Sequence, residues 1–266
     1  MANYAENWRN ATPLRPIASR VRLEAGLELA ILAVIGAAII GLGLMPLSWR
    51  GTMVSAAVFA LLACLVNAGL RLHAPHRHFG IANSITLSRA AFGVLLVGLA
   101  VQQAEGGGLL TDAAFRWNLI AAAIIALLLD GADGWIARRG RMTSEFGARF
   151  DTETDALFVM AMTLMLTEAG IVGAWVLANG LIYYVFRLAS HIWPVLGGPL
   201  FPSWRRKAVC VVQIALLVAA LTPVMPGWAA SLCCLTGLAL LLYSFGIDTV
   251  WLIGRSRFRY AEMFSR

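Results

Sequence analysis

The chain has 266 residues, of which 60% are hydrophobic and only 13% charged, and its mean hydropathy is +0.76. That composition excludes an ordinary soluble domain or a disordered chain and places it among polytopic membrane proteins. The formal net charge is +7, but the basic residues flank apolar runs and interleave no aromatic platform, which argues against a nucleic-acid surface.

Residues 1–23 form a polar tail containing Pro13 and Pro16. The first apolar run, Leu27–Met45, is too long for the core of a signal peptide and lacks a small-residue cleavage site, so it reads as a retained span. The turn Pro46–Gly51 leads into a second run, Met53–Leu70. The basic segment Arg71–Gly80, RLHAPHRHFG, follows and is broken at Pro75. Together residues 24–80 read as an N-terminal transmembrane hairpin with its juxtamembrane segment. His73, His76 and His78 in that segment read as lipid-headgroup contacts rather than metal ligands.

Six further spans are expected near Ile85–Val101, Trp117–Leu129, Ala156–Leu166, Val172–Ser190, Ala208–Leu221 and Ala229–Val250. Period-two alternation is absent, which argues against a β-barrel. The expected fold is all-α and integral to the membrane, with eight transmembrane helices. A six-helix core over residues 81–255 follows the two-helix hairpin, and residues 256–266 form a basic tail. With eight spans every basic segment falls on one side, and the positive-inside rule makes that side cytoplasmic, with both termini. The expected location is a bacterial inner membrane. Trp49, Trp117, Trp175, Trp204, Trp228 and Trp251 fit interfacial belts. Cys64, Cys210, Cys233 and Cys234 lie in apolar runs without metal-ligand spacing and read as small buried hydrophobes.

Four aspartates interrupt this apolar sequence in LLLDGADGWIARRGRMTSEFGARFDTETDALFVM. Asp130, Asp133, Gly134 and Ala137 share one helical face, and Gly147, Asp151 and Asp155 share a face of a second helix. Thr143-Ser144 between them reads as the cap of that second helix. Two such helices meeting at their cytoplasmic ends would aim four carboxylates at one another, an arrangement that needs positive charge. An all-oxygen donor set selects Mg²⁺, Mn²⁺ or Ca²⁺. Small residues beside it leave room for a ligand, and Arg138 offers a bidentate fork for phosphate.

The pattern Asp130-x-x-Asp133-Gly134-x-x-Ala137-Arg138, eight residues, Gly147-x-x-x-Asp151-x-x-x-Asp155 resembles the signature of the CDP-alcohol phosphotransferase (CDP-alcohol phosphatidyltransferase) family at every fixed position. Asn83, Thr86 and Arg89 resemble its Asn-x-x-Thr-x-x-Arg segment. Read without the resemblance, Asn83 and Thr86 would cap a helix and Arg89 would snorkel to headgroups. The resemblance implies a metal-dependent enzyme of phospholipid biosynthesis. It would transfer a phosphatidyl group from CDP-diacylglycerol to the hydroxyl of a polar alcohol and release CMP. It further implies Mg²⁺ or Mn²⁺, two ions in this reading, held by Asp130, Asp133 and Asp151. Asp155 would be the general base beside the metals. Asn83, Thr86, Gly134, Ala137, Arg138 and Gly147 would line the nucleotide site, and the enzyme would be a homodimer.

Arg187 and Lys207 are the candidate residues for an acceptor phosphate, which makes glycerol 3-phosphate the leading acceptor and inositol phosphate the alternative. Arg206-Lys207-x-x-Cys210-x-x-Gln213 only partly resembles a Gly-Lys-x-x-Thr-x-x-Gln stretch of glycerophosphate-using members. A divalent-cation transporter is the competing class. It would place charges along several spans, whereas here they crowd one end.

Overall fold

The computed structural model describes residues 19–73, 76–140, 142–198, 200 and 203–264, the side chains of Trp135, Ala137, Arg138 and residues 256–264 excepted. Most of the expected N-terminal tail and the end of the C-terminal tail therefore lie outside the described residues. Among those residues there are eight α-helices and no strand. The helices are α1 (Ser19–Gly41), α2 (Trp49–Gly69), α3 (Ile81–Ala104), α4 (Ala113–Arg139), α5 (Glu145–Glu168), α6 (Ala178–Ile192), α7 (Trp204–Ala220) and α8 (Gly227–Phe264). Each overlaps one expected run.

Five segments are long and apolar enough to cross a membrane: Ser19–Gly41, Trp49–His73, Ile81–Ala104, Ala113–Gly134 and Gly227–Arg255. The chain is an integral membrane protein. The other three helices fall short for identifiable reasons. α5 opens with Glu145, Arg149, Asp151, Glu153 and Asp155. α6 has only 15 residues, and α7 has 17 and starts with Arg205-Arg206-Lys207 in its first turn. Large apolar side chains such as Leu27, Leu128 and Val185 are exposed, which hydrocarbon solvent tolerates and water would not.

Local chemistry sets the helix starts. Ser48 caps α2 and Ser144 caps α5, each Oγ accepting the amide three residues on, from Gly51 and Gly147, at 3.0 Å. Gly80 introduces α3 with φ at +86°, a conformation that a side chain would strain.

α3 is the axis of the bundle. It is the most buried of the five candidate spans and packs along α2, α4 and α5. Small residues let α2 approach it closely. A Cβ on Gly51 would stand 2.7 Å from the carbonyl oxygen of Gly98, and Ser55 Oγ donates to the Val94 carbonyl at 3.3 Å. α2 packs more extensively on α3 than on α1, while α1 touches both. One buried cluster joins α3, α4, α5, α7 and α8 around Leu96, Met162 and Leu217. The other joins α1, α2 and the starts of α3 and α5 around Val66, Phe79 and Phe146. Phe150 belongs to one cluster and Phe158 to the other, so Asp151 and Asp155 lie at the seam between them.

Candidate active site

α4 ends and α5 begins on either side of a short turn, which brings together carboxylates one helical turn apart on each helix. α3 supplies their counter-charge. Arg89, its side chain only 4% exposed, places Nη2 at 2.7 Å from Asp130 Oδ1 and 2.6 Å from Asp155 Oδ1. Its Nη1 lies 3.1 Å from both Asp133 Oδ2 and Asp151 Oδ1. A guanidinium stays charged, and its planar fork suits several carboxylates at once. Arg89 therefore does not snorkel to headgroups; burial on the inner face of α3 directs it into the cluster. Four carboxylates against one guanidinium still leave negative charge in excess.

The carboxylates are not equivalent. Asp130, Asp151 and Asp155 each offer an oxygen, and these atoms lie within 4.8 Å of one another. An oxygen-only set that close fits a hard divalent cation. Asp133 stands apart from that trio and is nearly fully buried. Its Oδ2 accepts from Thr86 Oγ1 at 2.9 Å as well as from Arg89. Asp151, with a side chain 43% exposed, is the open edge of the cluster.

The residues read as nucleotide-binding surround this core. Asn83 is buried, donates to the Phe79 carbonyl at 2.5 Å, and lines a cavity of about 420 Å³ with Glu28, Ile136 and Met142. Thr86 holds Asp133 rather than facing open space. Gly147 packs against Asn83, whose Oδ1 would stand 3.1 Å from a Cβ there, so the glycine permits α3 and α5 to close. Gly134 follows Asp133 on α4 and is half-buried. Ala137 and Arg138 lie on the last turns of α4, with side chains outside the described residues.

The two acceptor candidates are not brought together in one described groove. Arg187 pairs with Glu153 of α5 at 3.0 Å and lines a groove of about 590 Å³ with Arg149, Tyr183 and Ser190. Lys207 is exposed on α7 and is not among the residues lining that groove.

Several contacts in and around the site are not legible in the sequence. Cys210 is no inert apolar filler: its Sγ lies 3.4 Å from Asp155 Oδ2. Arg205 donates from Nη1 to the Ser244 carbonyl and hydroxyl, both at 2.7 Å, and from Nη2 to buried Asp248 at 2.5 Å, tying α7 to α8. His73 is almost fully buried, which turns its ring away from headgroups and into the protein. Its Nδ1 meets Ser144 Oγ at 3.0 Å and its Nε2 meets the His78 carbonyl at 2.7 Å. That ring supports the cap of the helix carrying Asp151 and Asp155. Arg89 carries a sequence signal in its spacing of three residues from Thr86 on the same helix, and Cys210 a partial one in the Arg206-Lys207-x-x-Cys210-x-x-Gln213 stretch.

A model of the family described as CDP-alcohol phosphatidyltransferase matches residues 79–243, from the residue pair before α3 into α8. No curated protein and no solved structure matches the chain. The matched stretch holds all four aspartates, Thr86, Arg89 and Cys210, whereas α1 and α2 precede it. Covering more than half of the sequence and all of the aspartate cluster, that match makes the chain a member of the CDP-alcohol phosphatidyltransferase family, a family of transferases.

Proposed function

We propose that this protein moves a phosphatidyl group from CDP-diacylglycerol to the hydroxyl of a polar alcohol, glycerol 3-phosphate first among them, and releases CMP. The observation that carries this reading is the convergence of Asp130, Asp133, Asp151 and Asp155 on Arg89 inside the matched stretch. Asp130, Asp151 and Asp155, with Asp133 beside them, would hold Mg²⁺ or Mn²⁺, two ions in this reading, whose charge would stabilise the diphosphate as it breaks. Membership of a transferase family favours this over a cation transporter.

Asp155 is the general base in this scheme. Arg89 occupies its Oδ1 at 2.6 Å, whereas Oδ2 meets the weak thiol donor of Cys210 at 3.4 Å. Oδ2 is therefore the atom that takes the acceptor's proton. As it does so, the hydroxyl oxygen bonds to the phosphorus that carries diacylglycerol. The bond from that phosphorus to the bridging oxygen breaks, and CMP leaves with that oxygen. Asn83, Thr86, Gly134, Ala137, Arg138 and Gly147 frame the cytidine diphosphate side, with Thr86 acting through Asp133. Arg187, in its groove beside α5, is the candidate for the acceptor's phosphate, and Lys207, outside that groove, would reach the phosphate from α7 only separately.

All eight helices cross the membrane in this proposal, with residues 81–255 as the catalytic core and residues 24–80 as the preceding hairpin. Its basic side, with both termini and the aspartates, faces the cytoplasm of a bacterial cell, and two copies associate. Radiolabelled CDP-diacylglycerol incubated with the purified chain, Mn²⁺ and a panel of alcohols tests the reaction. The expected result is CMP release with phosphatidylglycerophosphate as the lipid product by mass, abolished by Asp155→Asn. A product formed only from inositol phosphate would replace the acceptor and keep the reaction. No CMP release with any alcohol would overturn both.

A further inference from the structure

We infer that Glu28, on the α1 helix ahead of the matched stretch, reads the base of the donor: its carboxylate accepts the exocyclic amino group of cytosine in the cavity beside Asn83. The inference rests on the reading of the chain as a user of CDP-diacylglycerol and adds which residue tells cytosine from uracil. Glu24 and Glu28 lie one turn apart on α1 and both line that cavity of about 420 Å³. Their duties differ. Glu24 serves the protein: Oε1 accepts from Arg20 Nε and meets His78 Nδ1, both at 3.0 Å, and Oε2 accepts the Phe79 amide at 2.8 Å. Glu28 receives the Ser84 hydroxyl on Oε1 at 2.7 Å, and a carboxylate accepts at both oxygens. A carboxylate within a candidate membrane span calls for a functional partner.

The cavity adjoins the aspartates along two helices. Asn83 stands one turn before Thr86 on α3, and the Thr86 hydroxyl holds Asp133. Ile136, another wall of the cavity, stands one turn after Asp133 on the same face of α4. A diphosphate held at the aspartates therefore directs its nucleoside along α3 and α4 toward α1. Phe79, Ile136 and Met142 give apolar walls suited to a flat ring, in a volume within the range of small-molecule pockets. Against those walls an ionised Glu28 is acceptor-only. Cytosine presents an amino group where uracil presents a carbonyl oxygen, so the first bonds to the carboxylate and the second is repelled by it.

The test is calorimetric binding of CDP and of UDP to the full chain in nanodiscs with Mn²⁺. The parent is expected to prefer CDP by at least about tenfold, the scale of one good pairing with a base edge. Glu28→Gln keeps the shape and can turn its amide to suit either base. Its CDP affinity should fall, its UDP affinity should rise, and the preference should collapse. A gain for UDP is a result that a merely structural glutamate would not give. A parent without the preference, or an unchanged preference in Glu28→Gln, overturns the inference and leaves the nucleotide reading standing. No binding of either nucleotide, together with no CMP release from CDP-diacylglycerol, overturns both. Should Glu28→Gln fail to fold, Glu28→Asp decides: it draws the carboxylate back by one methylene, so a smaller CDP preference is expected and an unchanged one overturns the inference. An ammonium headgroup offers the same kind of donor, so nanodiscs with and without phosphatidylethanolamine are compared. Equal CDP affinity in both supports the base, whereas CDP affinity that falls with phosphatidylethanolamine assigns Glu28 to the lipid and overturns the inference.

Discussion

Thr86 and Arg89, one turn apart on α3, donate to the same oxygen: Asp133 Oδ2 receives Thr86 Oγ1 at 2.9 Å and Arg89 Nη1 at 3.1 Å. One carboxylate of α4 is thereby fixed to α3 by two donors in a nearly water-free position. Removing one donor from a buried carboxylate costs about 1–3 kcal/mol. Thr86→Val is therefore expected to lower the rate of CMP release about tenfold or more and to reduce thermal stability. Thr86→Ser should stay near the parent. Equal losses in the two variants would mean that the methyl group, not the hydroxyl, is what matters.

Cys210 donates to the oxygen of Asp155 that Arg89 leaves open. A thiol is a weak donor, so the effect should be small and directional. Cys210→Val keeps bulk without a donor and is expected to cut kcat about threefold to tenfold, with KM for CDP-diacylglycerol unchanged. Cys210→Ser should restore most of that rate. A change confined to KM would instead place the thiol on the donor's binding surface.

Ser144 Oγ serves two partners, the amide of Gly147 and the ring of His73. Ser144→Ala should cost about 1 kcal/mol as a lost cap. His73→Ala should cost more, because it empties a buried position as well. Since both touch one oxygen, the double variant should lose less than the two singles added together, by at least about 0.5 kcal/mol. Equilibrium unfolding in mixed micelles measures the cycle, and simple additivity would show that the 3.0 Å contact between them carries no coupling.

Gly147 and Gly131 separate packing from helix propensity. A Cβ at Gly147 would stand 3.1 Å from Asn83 Oδ1 and 3.3 Å from Ser144 Oγ, whereas one at Gly131 meets nothing within 4 Å. Gly131→Ala should therefore be neutral or stabilising by up to about 1 kcal/mol. Gly147→Ala pushes Asn83 and the start of α5 apart and is expected to lower CMP release about tenfold through displaced aspartates. Matched behaviour of the two variants, in activity and in melting temperature, would remove the packing argument.

What could be read from sequence alone divides along the distance between partners. The four aspartates announce themselves because helical spacing puts Asp130 with Asp133, and Asp151 with Asp155, on single faces. Eight apolar runs likewise became eight α-helices, since each run carries its own signal. The partner of His73 is 71 residues away and that of Cys210 is 55 residues away, and no periodicity links such pairs. Arg89 shows the same limit from another side. A basic residue near the start of an apolar helix looks alike whether it reaches headgroups or turns inward, and only the placement of α4 and α5 against α3 decides between them. The sequence marks a span at Ala156–Leu166, yet α5 is not among the five segments apolar enough to cross a membrane, because its first three turns carry Glu145, Arg149, Asp151, Glu153 and Asp155.

Glu24 holds the amide of Phe79 at 2.8 Å and meets the ring of His78 at 3.0 Å. Phe79 is the first residue of the stretch shared with the family. The two helices ahead of that stretch are therefore not freely portable. A chimera that joins another member's leading segment to residue 79 inherits an orphaned buried amide unless the graft brings a carboxylate in the same register. Chimeras spliced with and without such a carboxylate should separate into those that assemble and those that are degraded in the membrane, which makes a single glutamate a compatibility key for recombining these enzymes.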